Sequence, residues 1–583
     1  MKTIPTWNLS TLFKTEKELH QLVKKIEERA NRFTHYRKQL EKPSRMLINT
    51  IMEEKEKIHE EMNKVGAYAH LQFSQNTQDE KAKTLESQIG KTFTRIGNKM
   101  LFFDLWWKKQ DEKKARSLLP QNKEYTFILT ESRKHAKYAL SEKEEQLANI
   151  KDDTGEEALL KVYNILTNAY TFPWKSEGKT TLISEEELKK YFKSPNPKER
   201  EEAYDLLWEK SKKESPVLGE IYRNLVLDYW NEGIHLRKYK SPVTIRNMGN
   251  DLRDEIVDTF LDVCEKNTEI FQDYFEWKMK KIRVPLSRYH VYAPLPHPRG
   301  KWTFEEGYET VMQAYEEFSP RFKEEAHRVL KEKRMDAQLR KGKRGGAFCM
   351  GIIPGETSFV LLNWMGNYHD LSTLAHELGH ATHNHLAGKH SIFTHHAGLP
   401  LAETASTFSE MLLNEKILRE SKDAQLKQYI LAHQIDDAYA SIQRQSYFCL
   451  FEKEAFNLIQ EGKTMDDVHH AYSSNLRKQF GKKMHIPKDA MYEWLNIPHL
   501  FEQPFYVYAY AFGQLLVYAF YQQYEKEGNE FVKRYEKFLT YGGSEHPEKM
   551  LIEMGFDPAK KRSWTNGFDF LEKKLQHLKK MEE

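Results

Sequence analysis

The chain has 583 residues, with 90 basic side chains against 86 acidic ones and a net charge of +4. That balance excludes a polyanion binder built on bulk electrostatics, so nucleic acid is not the expected partner. With 39% hydrophobic, 13% aromatic and 30% charged residues, the chain has enough apolar side chains for a large core, and wholesale disorder is excluded.

Length alone points to about four domains of roughly 150 residues each, a rule that elongated helical architectures with one continuous core escape. The first residues, MKTIPTWNLSTLFKTEKEL, hold no apolar run of about 7–15 residues, so a secretory signal is not expected. From residue 15 to about 110 apolar positions recur at helical spacing: Leu19, Leu22, Ile26, Ala30 and Phe33; then Ile51, Ile58, Met62, Val65 and Ala69; then Leu85, Ile89, Phe93, Ile96 and Met100. This spacing predicts long amphipathic helices whose Lys- and Glu-rich faces are solvated.

Breaks are few. The segments SPNPKER (Ser194–Arg200) and APLPHPRGKW (Ala293–Trp302, with Pro294, Pro296 and Pro298) are the expected boundaries. No repeat of fixed period is evident, which argues against a regular solenoid. Between Gly342 and Trp364 the runs KRGGAF, IIPGE and SFVLLNW predict a glycine-rich turn and at least one strand.

The run DLSTLAHELGHATHNHLAG, Asp370 to Gly388, lacks proline, starts at an Asp suited to capping and ends at a glycine, so it should be helical. His376 and His380 are then one turn apart on one face and can reach a single ion, with Glu377 beside them: an HExxH arrangement. Imidazole suits zinc, and a catalytic zinc site needs three protein ligands and one open position. The following run, PLAETASTFSEMLLNEKILRE, opens with Pro400 in a first helical turn and carries Glu403 and Glu410 on one face. Glu403 is expected as the third ligand and Glu410 as the partner that orients a ligand imidazole. His383, His385, His390, His395 and His396 compete. An extended HExxHxxGxxH pattern is absent, because position 383 is His and position 386 is Leu, so these five are expected to lie outside the ligand set.

Three cysteines, Cys264, Cys349 and Cys449, lie far apart without a CxxC pair, and reduced thiols in a cytoplasmic protein are the simplest reading. The aromatic and aliphatic stretch from Tyr506 to Tyr521 is shorter than the ~20 residues that a membrane crossing needs.

Seven ordered segments resemble the M3 zinc oligopeptidases, most closely the oligoendopeptidase F branch, which is thimet oligopeptidase-like. They are WNLSTLF (Trp7–Phe13), YHVYAPL (Tyr289–Leu295), GKRGGAF (Gly342–Phe348), FVLLN (Phe359–Asn363), HELGHATH (His376–His383), LAETAST (Leu401–Thr407) and PFYVYAYAFG (Pro504–Gly513). The resemblance implies one zinc ion per chain on His376, His380 and Glu403, with Glu377 as general base. It also implies a mostly α fold of gluzincin type, an elongated helical ellipsoid with a deep substrate channel and a small β-sheet beside the zinc helix. Residues 1–200 would form one channel wall and 201–583 the catalytic region.

His499 and two tyrosines would contact substrate and the developing oxyanion. Tyr506 and Tyr510, four apart, are chosen because Tyr508 would point elsewhere on a helix. Gly345 and Gly346 are expected in a flexible loop over the cleft, and the Phe359–Val360–Leu361 strand is expected to pair with an extended peptide. Cys349 lies close to that loop, where a bulky thiol reagent would hinder activity. The function expected is metallo-endopeptidase action on short unfolded peptides. A carboxypeptidase or dipeptidyl carboxypeptidase of the same chemistry is the alternative, and a non-catalytic peptide-binding protein a more distant one. Neither nucleic acid nor membrane is an expected partner, and oligomeric state is not legible.

Overall fold

A computed structural model of the protein describes residues 4–176, 178–296 and 301–581. The chain forms two compact units, each from three separated stretches. The first gathers Met1–Lys137, Arg299–Glu420 and Gln523–Phe556, and the second Tyr138–Pro298, Ser421–Gln522 and Asp557–Glu583. The expected border at residue 200 falls within one helix, Pro197–Trp230, where Asn196 caps the first turn and Pro197 takes a position that needs no N–H donor. Of the second expected boundary, residues 297–300, Pro298 among them, lie outside the described residues.

In the first unit the helical periodicity is realised as Glu16–Phe33, Arg45–Gln75 and Glu80–Lys108, each opened by a Ser, Thr or Asp side chain that accepts from backbone N–H groups. Leu19, Ile26, Phe33, Ile51, Ile58, Val65, Ile89, Ile96 and Met100 are buried in one core, while Leu22, Met62, Leu85 and Phe93 pack partly buried at its margin. That core includes Phe359 and Leu361, so the N-terminal helices and the strand near the HExxH helix share one hydrophobic interior.

The strand belongs to a three-stranded sheet in the order Met335–Asp336, Phe359–Leu361, Phe348–Met350, parallel on the first side and antiparallel on the second. Phe359, Val360 and Leu361 are buried, and both edges of their strand are taken. The expectation that this strand adds a peptide is therefore corrected, because a central strand has no free ladder to offer. Segments Phe348–Met350 and Met335–Asp336 are the two outer strands. In the second unit an antiparallel pair, Thr171–Ser176 with Lys179–Ser184, escaped the sequence reading. It is short, and only Phe172 and Trp174 of its first strand reach a core.

No described helix is long and apolar enough to cross a membrane. Cys264, Cys349 and Cys449 are free.

Candidate active site

The HExxH helix runs Tyr368–Leu386. Its cap is Asn367, three residues before the expected Asp370, which instead completes a reciprocal capping box. The next helical segment is broken: a turn at Leu399–Ala402 ends on Glu403, and the main helix begins at Thr404. The break releases Glu403 from strict helical direction. Its Oε2 lies 3.2 Å from His376 Nε2 and 3.1 Å from His380 Nε2.

Two ligands bonded at about 2.0–2.1 Å around a tetrahedral ion sit roughly 3.3 Å apart, so these separations fit one zinc ion between the three side chains. All three ligand atoms lie within 4.8 Å of one another. Glu410 Oε1 accepts from His376 Nδ1 at 2.7 Å, which leaves Nε2 with its lone pair towards the ion position. Ser372 Oγ donates to the other Glu410 oxygen at 2.6 Å, and Ser406 Oγ donates to Glu403 Oε2 at 2.8 Å. These two serines were not singled out in the sequence, although Ser372 stands one turn before His376 and Ser406 three residues after Glu403.

Gly379 explains the close approach of the two helices. A Cβ there would meet Ser409 Oγ at 2.5 Å, Ala405 O at 2.7 Å and Ser406 Cα at 2.7 Å, so any side chain would push away the helix that follows Glu403 and bears Glu410.

Electrostatics follow burial and pairing. Burial would raise the Glu403 carboxyl, but its bonds with His376 and His380 outweigh that and hold it well below the usual carboxylate range. Glu377 is 6% exposed, and burial raises its pKa against the opposing pull of His376 and His380. A carboxylate made more basic in this way suits proton abstraction.

Among the described residues, the neighbouring histidines do not join the cluster of His376, His380 and Glu403. His385 accepts from Ser358 N–H and donates to the Glu325 carbonyl, and burial lowers its pKa to about 4. Burial also lowers His383 to about 3 and His395 to about 4, and it depresses His396. His390 instead ties down the loop between the two ligand-bearing segments. Its ring nitrogens face Glu124 Oε1 at 3.0 Å and the Thr540 carbonyl at 2.6 Å.

Glu124 also accepts from Ser391 N–H and Thr394 Oγ1. Burial would raise its pKa, yet these donors bring it down to about 2. A carboxylate held below its unfolded value of 4.5 stabilises the fold above pH 4.5, and the benefit drains away as pH falls towards 2. Glu124→Gln is expected to cost about 1–2 kcal/mol near neutral pH, at the modest end because the side chain is partly open to solvent. Thermal melts of wild type and variant from pH 7 to 3 should converge. A constant gap would show that the charge is irrelevant.

The Gly345–Gly346 segment is anchored on both sides. The Gly342 carbonyl accepts from Thr77 N–H at 2.7 Å, and Arg344 N–H donates to the Ser74 carbonyl at 3.0 Å. The fully buried Lys343 ammonium bonds Asp336 Oδ1 at 2.8 Å and the Leu362 carbonyl at 2.7 Å. Asn363 Nδ2 donates to the Gly346 carbonyl at 2.9 Å. Gly345 and Gly346 themselves stay exposed, with Gly346 at φ +74°. Burial pushes the nearby Cys349 thiol well above its ordinary value, which lowers its thiolate fraction.

The second unit brings together His499, Tyr506 and Tyr510. The His499 and Tyr506 rings stack with centroids 6.0 Å apart, the Tyr506 and Tyr510 rings meet edge-on at 5.3 Å, and the two hydroxyls are 3.4 Å apart. Tyr508 is buried and accepts from Asn250 Nδ2, pointing away as expected. The helix starts only at Tyr508, so Tyr506 reaches Tyr510 from the preceding turn.

Comparison with known proteins identifies the family. The profile described as peptidase family M3 matches residues 190–570, and one described as oligopeptidase F matches residues 106–172. Oligopeptidase PepF of Bacillus subtilis is 26% identical, covering 100% of this chain and 88% of its own. An oligoendopeptidase F homolog of Borreliella burgdorferi is 28% identical, covering 99% and 98%. Among solved structures, oligoendopeptidase-F from Enterococcus faecium superposes with a TM-score of 0.73 at 19% identity, over 97% of this chain and 99% of its own. Since the family match spans every residue of the HExxH helix and the glutamate that meets it, the chain belongs to peptidase family M3.

Proposed function

We propose that the protein is a zinc-dependent endopeptidase that hydrolyses internal bonds of short, unfolded peptides. The observation that carries this reading is the convergence of His376 Nε2, His380 Nε2 and Glu403 Oε2, with Glu377 on the same helix. When bound, zinc would supply Lewis acidity, polarising the scissile carbonyl and making water acidic enough to lose a proton near neutral pH. Glu377 then takes the proton of the attacking water and delivers it to the departing amine nitrogen, so no covalent intermediate is needed. Glu410 and Ser372 keep His376 oriented, and Ser406 does the same for Glu403.

To His499, Tyr506 and Tyr510 we assign hydrogen bonding to substrate and to the tetrahedral oxyanion. The support is their mutual geometry together with the family resemblance. Loss of one such donor typically costs ~10²–10³ in rate. Main-chain pairing with substrate is assigned to the outer strand Phe348–Met350, beside the anchored Gly345–Gly346 segment. Three unpaired thiols support a cytoplasmic location.

The test is turnover of an internally quenched, end-blocked peptide, with and without chelator, beside a folded globular protein at equal enzyme. Cleavage of the blocked peptide, abolished by chelator, is expected, and the folded protein should resist because presenting an extended strand would require unfolding at a cost of ~5–15 kcal/mol. Failure to cut the blocked peptide while a free C-terminus is trimmed would make the enzyme an exopeptidase. Chelator-insensitive turnover would end the zinc reading.

A further inference from the structure

Phe505, immediately before Tyr506, has φ +58°, a conformation that is unfavourable for a bulky side chain by roughly 1–2 kcal/mol. Such a residue persists only where its surroundings over-determine it. Here three contacts do so. Phe505 N–H donates to a carboxyl oxygen of Glu452 at 2.8 Å, and Glu452 is fully buried on the helix Arg444–Gln460. The Phe505 ring packs on Phe456, one turn further along that helix, with centroids 4.8 Å apart. On the other side, the Pro504 carbonyl accepts from Arg246 Nε at 3.2 Å, and the Arg246 guanidinium lies 5.7 Å from the centre of the Tyr506 ring.

We infer that Glu452 and Arg246 are positioning residues for the reaction, holding the left-handed turn at Phe505 so that Tyr506 faces Tyr510 and stacks on His499. The inference rests on the assignment of those three side chains to substrate and oxyanion contacts. Its geometry is specific. Without the left-handed residue the chain would leave Gln503 in another direction, and the helix that starts at Tyr508 would meet a differently aimed Tyr506. A buried acceptor is the right kind of anchor, because an isolated N–H left unpaired in this interior would itself be costly. Burial pushes the Glu452 carboxyl up to about 8, against the pull of Phe505 N–H and Arg246, so at neutral pH the anchor brings little charge into the core.

The experiment measures kcat, KM and zinc content of the zinc-loaded enzyme on the quenched peptide for Glu452→Leu, Glu452→Gln, Tyr506→Phe, Tyr510→Phe and the double variant Glu452→Leu/Tyr506→Phe. Leu removes the acceptor at similar volume, and kcat is expected to fall about 10–100-fold with KM within about threefold and zinc unchanged. Gln keeps an acceptor oxygen and should restore kcat to within about threefold of wild type. If Glu452 acts through Tyr506, the double variant will be little slower than Tyr506→Phe alone, because both changes disable one group.

Wild-type kcat in Glu452→Leu beside a slow Tyr506→Phe would overturn the inference, as would a Gln variant as slow as Leu, or losses that multiply in the double variant. Full activity of both Tyr506→Phe and Tyr510→Phe would refute the underlying assignment instead, and the positioning role with it. Should Glu452→Leu fail to fold, Arg246→Ala takes its place in the same cycle, with an expected loss of about 3–10-fold in kcat and the same non-additivity.

Discussion

Glu377→Gln is expected to lower kcat by about 10²–10⁴-fold while the protein still binds one zinc ion. Glutamine matches glutamate in size, and the atoms proposed to hold the ion come from His376, His380 and Glu403. His376 is oriented by Glu410, and Glu403 is held by Ser406. What disappears is a 6%-exposed carboxylate whose burial makes it more basic than an ordinary glutamate. An amide cannot take the proton of water, so turnover collapses with the ligand set intact. Metal analysis of the purified variant alongside peptide turnover separates the two effects. A variant that has also lost its metal would show that Glu377 is structural.

Glu403→Ala is expected to abolish practical zinc binding, and Glu410→Ala to weaken it by about 10–100-fold. Both carboxylates touch His376, but through different nitrogens. Glu403 Oε2 lies against His376 Nε2 and His380 Nε2, at the point where the ion belongs, whereas Glu410 accepts from His376 Nδ1 behind the ring. Removing Glu403 takes away one of three ligands and the negative charge that offsets the cation. Removing Glu410 leaves all three ligands and frees only the tautomer and tilt of one imidazole. Titration with competing chelators of graded strength would rank the two variants, and the opposite order would exchange their roles.

Much of the metal centre was legible because its key relation is local. His376 and His380 share a face through the 3.6-residue period of a helix, whatever the rest of the chain does. The N-terminal helices were legible for the same reason, since Leu19, Ile26 and Phe33, or Ile89, Ile96 and Met100, mark one face by spacing alone. Glu403 and Glu410 were found as a pair on a following helix. The break at Glu403 was not, because the choice between a continuous and an interrupted helix is settled by what the carboxylate meets across the interface.

Tertiary structure alone decided the relations between distant segments. The run FVLLN reads as a strand in sequence, but strand order is a non-local property, and only the fold makes Phe359–Leu361 the central strand and Phe348–Met350 one of the two outer ones. The anchors on the flanks of the Gly345–Gly346 segment, from Ser74, Thr77, Asp336 and Asn363, come equally from distant parts of the chain. Glu124 meets His390 across 266 positions, and Glu452 meets Phe505 across 53. No spacing rule anticipates such contacts. Backbone geometry carries side-chain direction for only a few turns, and beyond that the partners of a buried carboxylate are chosen by the packing of whole helices and by the need to satisfy every polar group they enclose.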